Sequence, residues 1–175
     1  MWISLIGFTS TGKSTVGKLL AQKANIEFRD LDRVLEEISF KETRKQRTCR
    51  EIFTEEGAES FINRELHALN SLKNNSKIVL ATGGATPLKK EAADLLEKNG
   101  TVIYLTATPE TIFERMKEKG IPAYLQSDPT IENLRSHFLK RDPVYRALAD
   151  IILDTEGHTP EELANDLFSA IKVLT

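Results

Sequence analysis

Apolar residues in this chain follow two rhythms that alternate along its length. Short, mostly apolar runs fall at Trp2–Ile6, Ile26–Arg29, Ile78–Ala81, Thr101–Leu105 and Ala149–Leu153. They are too short for helices and rich in β-branched residues, so they predict strands. Between them, apolar positions recur every three or four residues, the spacing of an amphipathic helix. This predicts helices over Thr15–Ala21, over Pro87–Lys98, from Thr108 through Lys119, over Ile131–Leu139 and from Thr159 to about Val173. A further helical stretch follows Asp30 through about Leu72, interrupted near Lys41–Arg47. The punctuation agrees: Thr-Pro-Glu opens the helices at Thr108 and Thr159, with Thr as N-cap and Pro in the first turn. Gly100 lies just beyond one helix, and Gly120-Ile121-Pro122 ends another. Strand and helix in alternation predict an α/β fold, a parallel sheet with helices on both faces. In such a sheet ligands bind at the carboxyl ends of the strands.

Composition narrows the class. The 175 residues suit one domain, with 40% hydrophobic and 29% charged residues, as in soluble globular proteins. The net charge of −2 gives no reason to expect nucleic acid or an anionic membrane as partner. One cysteine, Cys49, excludes an intramolecular disulfide and a multi-cysteine zinc site. His67, His137 and His158 are scattered and suggest no metal cluster. With no basic segment before the first strand and no long apolar run, the expectation is a cytoplasmic protein, monomeric, with no membrane partner.

The chemistry begins after the first strand. Gly7-Phe8-Thr9-Ser10-Thr11-Gly12-Lys13-Ser14 fits the phosphate-cradling pattern G-x-x-x-x-G-K-[ST] at every fixed position, between a strand and a helix. Backbone N–H groups there converge on a polyphosphate. The expected nucleotide contacts are Thr9, Ser10, Thr11, Gly12, Lys13, Ser14 and Thr15, with Lys13 reaching the β- and γ-phosphates of ATP and Ser14 ligating Mg²⁺. The second strand ends in Asp30-Leu31-Asp32, two carboxylates two residues apart at a strand end, able to face one site. Asp30 also fits as the cap of the next helix. The third strand ends in Gly83-Gly84, where a substrate can approach the backbone. Arg115 could contact phosphates or stack on adenine, or be a solvated helix arginine. Arg141, read as lying at a helix end before a turn, suits a carboxylate or phosphate.

These residues together resemble the shikimate kinase family over essentially the whole chain. The phosphate loop, Asp30-Leu31-Asp32 with Glu36, and Glu51-Ile52-Phe53 with Gly57, Phe61 and Glu65 are similar to its motifs. So are Ala81-Thr82-Gly83-Gly84, Arg141-Asp142-Pro143-Val144-Tyr145, and Asp154-Thr155 with Pro160, the last like its adenine loop. The resemblance implies a P-loop kinase fold with a five-stranded parallel sheet and a mobile lid at about residues 116–130. It implies an acceptor-binding region at about residues 33–75, Asp32 holding the acceptor hydroxyl and Asp30 near Mg²⁺. Thr155 and Pro160 would border adenine, and Gly83, Gly84 and Arg141 the acceptor.

The chain also departs from that family. Of three arginines expected to grip the shikimate carboxylate, two positions carry Ile62 and Ile121, and only Arg141 remains. Arg64 is two residues on from Ile62, about 200° around a helix, and so faces away. Each missing charge-assisted bond costs roughly 1.5–3 kcal/mol, so the expectation is weak or no activity on shikimate unless something compensates. The candidate is a longer basic stretch with Arg44, Lys45 and Arg47, and Arg50 close by. The leading reading is phosphoryl transfer from ATP to a hydroxyl of shikimate or a related cyclic or polyol acceptor, with Lys13 and Asp32 catalytic. The alternatives are a nucleotide or nucleoside kinase using Arg44–Arg50, and an ATP-binding module that has lost catalysis.

Overall fold

Trp2–Ile6 is buried at every position and forms the central strand, because it has sheet on both sides and helices on both faces. A computed structural model of the protein describes residues 1–73 and 77–174. Residues 74 and 75, the end of the stretch expected to hold the acceptor, lie outside the described residues. The chain runs β1 (Trp2–Ile6), α1 (Lys13–Ala24), β2 (Glu27–Asp30), α2 (Leu31–Thr43), α3 (Cys49–Ser71) and β3 (Ile78–Ala81). It continues through α4 (Lys90–Asn99), β4 (Gly100–Thr106), α5 (Pro109–Lys119), α6 (Ile131–Leu148), β5 (Ile151–Asp154) and α7 (Pro160–Leu174), with short 3₁₀ turns at Thr86–Leu88 and Ala123–Leu125.

The five strands are all parallel in the order β2-β3-β1-β4-β5. Alternation along β1 sends Trp2 and Ile6 into one core and Ile3 and Leu5 into the other. The first core is closed by residues of α2 to α6, the second by α1 and α7. A helix layer on each face is what parallel strands require. Order reverses across β1, so the ends of β1 and β3 open a crevice at the sheet's carboxyl edge. Gly7 follows at once and packs tightly: a Cβ there would lie 2.3 Å from the Leu105 carbonyl oxygen, at a φ of +137°. Only glycine lets the loop turn this close to β4.

Two expectations change. The sixth helix does not stop near Leu139 but continues through Pro143 to Leu148. Proline removes one bond to the carbonyl four residues back, here that of Leu139, whose side chain is 75% exposed. The lost bond therefore falls on the outer face, while Tyr145 and Leu148 on the inner face are buried and carry the helix on. Arg141 is accordingly in mid-helix, not at a helix end. The Pro87–Lys98 helix divides instead into a 3₁₀ turn and α4, which starts at Lys90. The long third helix bends at Gly57, whose φ of +81° lies outside the helical region.

Candidate functional site

The loop after β1 wraps its own lysine. Lys13 Nζ donates to the carbonyls of Gly7 at 2.8 Å and Phe8 at 2.7 Å. Burial lowers its pKa to about 8, against the opposing pull of Asp32 and Asp30. Thr11 Oγ1 donates to the Phe8 carbonyl at 2.8 Å, which tightens the turn. Ser14, in the first turn of α1, donates its hydroxyl to Asp30 Oδ2 at 2.7 Å. The other Asp30 oxygen accepts the Asp32 backbone N–H at 3.1 Å. Both readings of Asp30 hold at once: it caps α2 and it joins Ser14 in a pair of hard oxygen groups.

Asp32 is in the first turn of α2 and opens into the crevice. The surrounding protein, then the charge of Asp30, push its carboxyl up to about 6. A third carboxyl sits deeper. Glu65 on α3 is 3% exposed and accepts the Thr86 hydroxyl at 2.6 Å through Oε1, while its buried Oε2 has no partner. Burial pushes it up to about 7. Gly83 makes room for it, since a Cβ there would fall 2.3 Å from Glu65 Oε1. Gly84 has no such steric reason; its carbonyl accepts the Tyr145 hydroxyl.

Three cavities meet at the loop. One of about 340 Å³ lies between the loop, Asp30, Asp32, Gly83-Gly84 and Lys119-Gly120. A second, of about 240 Å³, brings Arg115, Thr155 and Pro160 to Ser10, Thr11, Gly12 and Thr15. There Arg115 Nη1 donates to Thr155 Oγ1 at 2.8 Å, so it is a positioned group and not a solvated arginine. The third, of about 450 Å³, shares Thr9, Asp32, Gly83 and Gly84 with the first. Its wall carries Phe53, Phe61, Ile62 and Tyr124, with Arg141 and Arg50 as its cations. The Arg141 guanidinium lies 4.4 Å over the Tyr124 ring and 5.8 Å from the Phe8 ring. The structure thus brings the phosphate loop, Asp30, Asp32, Gly83-Gly84, Arg115, Arg141, Thr155 and Pro160 to one edge of the sheet.

The basic stretch departs from the expectation that Arg44 to Arg50 line the acceptor pocket. Arg44 forms the left-handed cap of α2 and lines none of these three cavities. Arg47 is bound to Glu55 at 2.8 Å, Glu56 at 3.1 Å and Ser39 at 2.9 Å, all outside the third cavity. Arg50 alone of that group reaches the cavity. Arg64 faces away, as its position on the helix requires, and pairs with Glu42 and Glu56. Ile62 does line the wall, but the side chain of Ile121 packs against the core, and its carbonyl accepts Arg50 Nη2. The burial of Glu65 and the place of Tyr124, Cys49 and Lys119 at the site had no separate signal in the sequence. Glu65 stood inside a motif; the others depend on contacts between distant segments. Among the described residues no cluster of His, Cys, Asp and Glu could by itself hold a metal, and no helix is long and apolar enough to cross a membrane.

Comparison with known proteins matches this arrangement. The shikimate kinase family model matches residues 9–172. The chain is similar to the shikimate kinase of Thermodesulfovibrio yellowstonii, 36% identical over 99% of this chain and 96% of that protein. It is 37% identical to the shikimate kinase of Actinobacillus pleuropneumoniae, over 97% of this chain and 94% of that one. Its structure is similar to that of the Acinetobacter baumannii shikimate kinase in complex with shikimate, with a TM-score of 0.89 and 31% identity over 99% of this chain and 94% of the other. The Aquifex aeolicus shikimate kinase gives a TM-score of 0.77 at 29% identity, over 99% and 98% of the two chains.

Proposed function

This chain belongs to the shikimate kinase family and is an ATP-dependent small-molecule kinase with the P-loop kinase fold; from that premise we propose that it transfers the γ-phosphoryl group of ATP to a hydroxyl of shikimate. The observation that carries the assignment of roles is the sharing of Asp32, Thr9 and Gly83-Gly84 between the phosphate-loop cavity and the apolar cavity. A group bound in one reaches a group bound in the other at Asp32.

The loop N–H groups from Gly7 to Thr15 hold the phosphates, and Arg115, Thr155 and Pro160 border the adenosine end. Lys13 leaves its loop carbonyls for the β- and γ-phosphates, where its charge balances the transition state. Ser14 and Asp30 offer two adjacent oxygen ligands of the kind Mg²⁺ takes together with substrate phosphates, and that ion, when bound, neutralises phosphate charge. Asp32 holds the acceptor hydroxyl and accepts its proton as the oxygen–phosphorus bond forms and the bond to ADP breaks. Its environment favours this, because a carboxyl near 6 is charged at neutral pH yet basic enough to take a proton. Arg141 holds the acceptor's carboxylate, and Gly83-Gly84 lets the ring approach.

At the level of the chain we propose one domain, with residues of about 33–75 around the acceptor and about 116–130 as a lid. We propose a cytoplasmic monomer with no nucleic-acid or membrane partner. ADP release measured with Mg·ATP and a panel of shikimate, other cyclic hydroxy-acids, polyols and nucleosides tests the reading. Shikimate should give the highest kcat/KM. Turnover of nucleosides with none on shikimate would replace this reading by the nucleoside-kinase one.

A further inference from the structure

We infer that Arg50 is a carboxylate-binding residue of the acceptor cavity and sets the specificity of this kinase for an anionic acceptor, an assignment that rests on the reading of shikimate as acceptor. A hydroxy-acid acceptor has two polar ends. Its reacting hydroxyl belongs at Asp32, where the two cavities join. Its carboxylate requires cationic donors, and the wall supplies Arg141 and Arg50 among otherwise uncharged and acidic side chains.

The backbone under Arg50 is fixed on the helix that carries Asp32. Thr48 caps α3 in a reciprocal box with Glu51. Cys49 N–H donates to Glu36 Oε1 at 3.0 Å, and its thiol donates to the Asp32 carbonyl at 3.3 Å. Arg50 therefore starts from a first helical turn tied to α2 at both Asp32 and Glu36. From there its Nη2 reaches across to the Ile121 carbonyl, a residue 71 positions away in the chain. That contact uses one of the five donors of a guanidinium, and the planar fork suits a carboxylate through the others. Arg50 thus stands between the acceptor cavity and the segment around Ile121-Pro122, and the carboxylate of a bound acceptor joins the two. The neighbouring basic residues do not compete for this role: Arg47 is neutralised by Glu55 and Glu56, and Arg64 by Glu42 and Glu56.

The test pairs a side-chain change with a ligand change. Steady-state kinetics are measured for the parent, Arg50→Ala and Arg50→Lys, with shikimate and with its uncharged methyl ester. Arg50→Ala should raise KM for shikimate about 10- to 100-fold, the loss of one charge-assisted contact, with a smaller change for Arg50→Lys. For the methyl ester KM should change less than about threefold, because the carboxylate is already gone. Nucleotide affinity by calorimetry checks that the variants are folded. Equal losses for acid and ester would make Arg50 only a latch on Ile121 and overturn the carboxylate contact; an unchanged KM for shikimate would overturn it as well. A parent enzyme that turns over other acceptors but not shikimate overturns the functional reading, and the role of Arg50 with it.

Discussion

At the scale of single residues, three carboxyls near the crevice have different surroundings. Asp30 is fixed by Ser14 and by its own helix. Asp32 is raised to about 6 and Glu65 to about 7, chiefly by burial. Lys13→Ala should abolish phosphoryl transfer and leave the melting temperature close to that of the parent; transfer at the parental rate would remove the phosphate-loop assignment. Asp32→Asn should lower kcat by about 10²-fold or more while nucleotide affinity changes little, since general-base groups contribute on that order. For Asp30, Asn keeps the helix cap and loses the charge, whereas Ala loses both. Asp30→Asn should raise the Mg²⁺ concentration needed for half-maximal rate without a loss of stability. Asp30→Ala should also cost about 1 kcal/mol of stability.

Glu65 makes a separate prediction about pH. Its folded-state pKa of about 7 stands above the ordinary 4.5, so between those values the folded state binds more protons than the unfolded state. Stability therefore falls as pH rises from about 4.5 to 7, and above that range the charged group's burial penalty is fully present. Glu65→Gln removes the charge but keeps an acceptor for Thr86. It should be more stable than the parent by about 1–3 kcal/mol at pH 8 and nearly equal to it at pH 4.5. Urea denaturation at the two pH values measures this, and a difference that does not change with pH counts against the buried-charge account.

At the scale of elements, α3 matters most because it contributes Arg50, Phe53, Phe61, Ile62 and Glu65 to one cavity. A straight helix could not curve its face around that space. The bend at Gly57, with a φ of +81°, divides it into two segments. Nothing lies within 4 Å of a Cβ built at Gly57, so Gly57→Ala meets strain and no clash. It should cost about 1–3 kcal/mol, the penalty of a side chain at a φ of +81° and ψ of 169°, a region essentially reserved to glycine. If the bend straightens instead, KM for the acceptor rises while KM for ATP holds, because α1 and the phosphate loop lie elsewhere. The ion pairs of Glu56 with Arg47 and Arg64 brace the bend from outside.

At the scale of the molecule, the nucleotide cavities are lined by the loop after β1, α1, the ends of β2 and β3, the start of α2, α5 and the start of α7, and the acceptor cavity mainly by α2, α3, α6 and the 3₁₀ turns. The two halves join at Thr9, Asp32, Gly83 and Gly84 and otherwise draw on different elements, so their ligands stabilise largely different parts of the protein. Mg·ADP at about 100 times its Kd should stabilise the fold by about 2.7 kcal/mol, a rise in melting temperature of several degrees. Lys13→Ala should lose most of that shift. Light scattering at working enzyme concentration should give the mass of one chain.

The sequence by itself determined the fold class, the strand and helix order, and the place of the glycine loop between the first strand and the first helix. Those signals are local: strand, glycine loop and helix are contiguous, and Gly7 to Ser14 lie within one turn of chain. It also oriented Arg64 correctly, because helical periodicity alone decides which way a residue on one helix points. The course of α6 through Pro143 was not legible, because burial of Tyr145 and Leu148 outweighs a proline whose lost bond faces outward. Nor was the difference between Arg47 and Arg50. Three residues apart, one lies before α3 and is paired by two glutamates of that helix, and the other reaches a carbonyl contributed from residue 121. Only tertiary structure decides such contacts, because their partners are set by how separate elements pack and not by spacing along the chain.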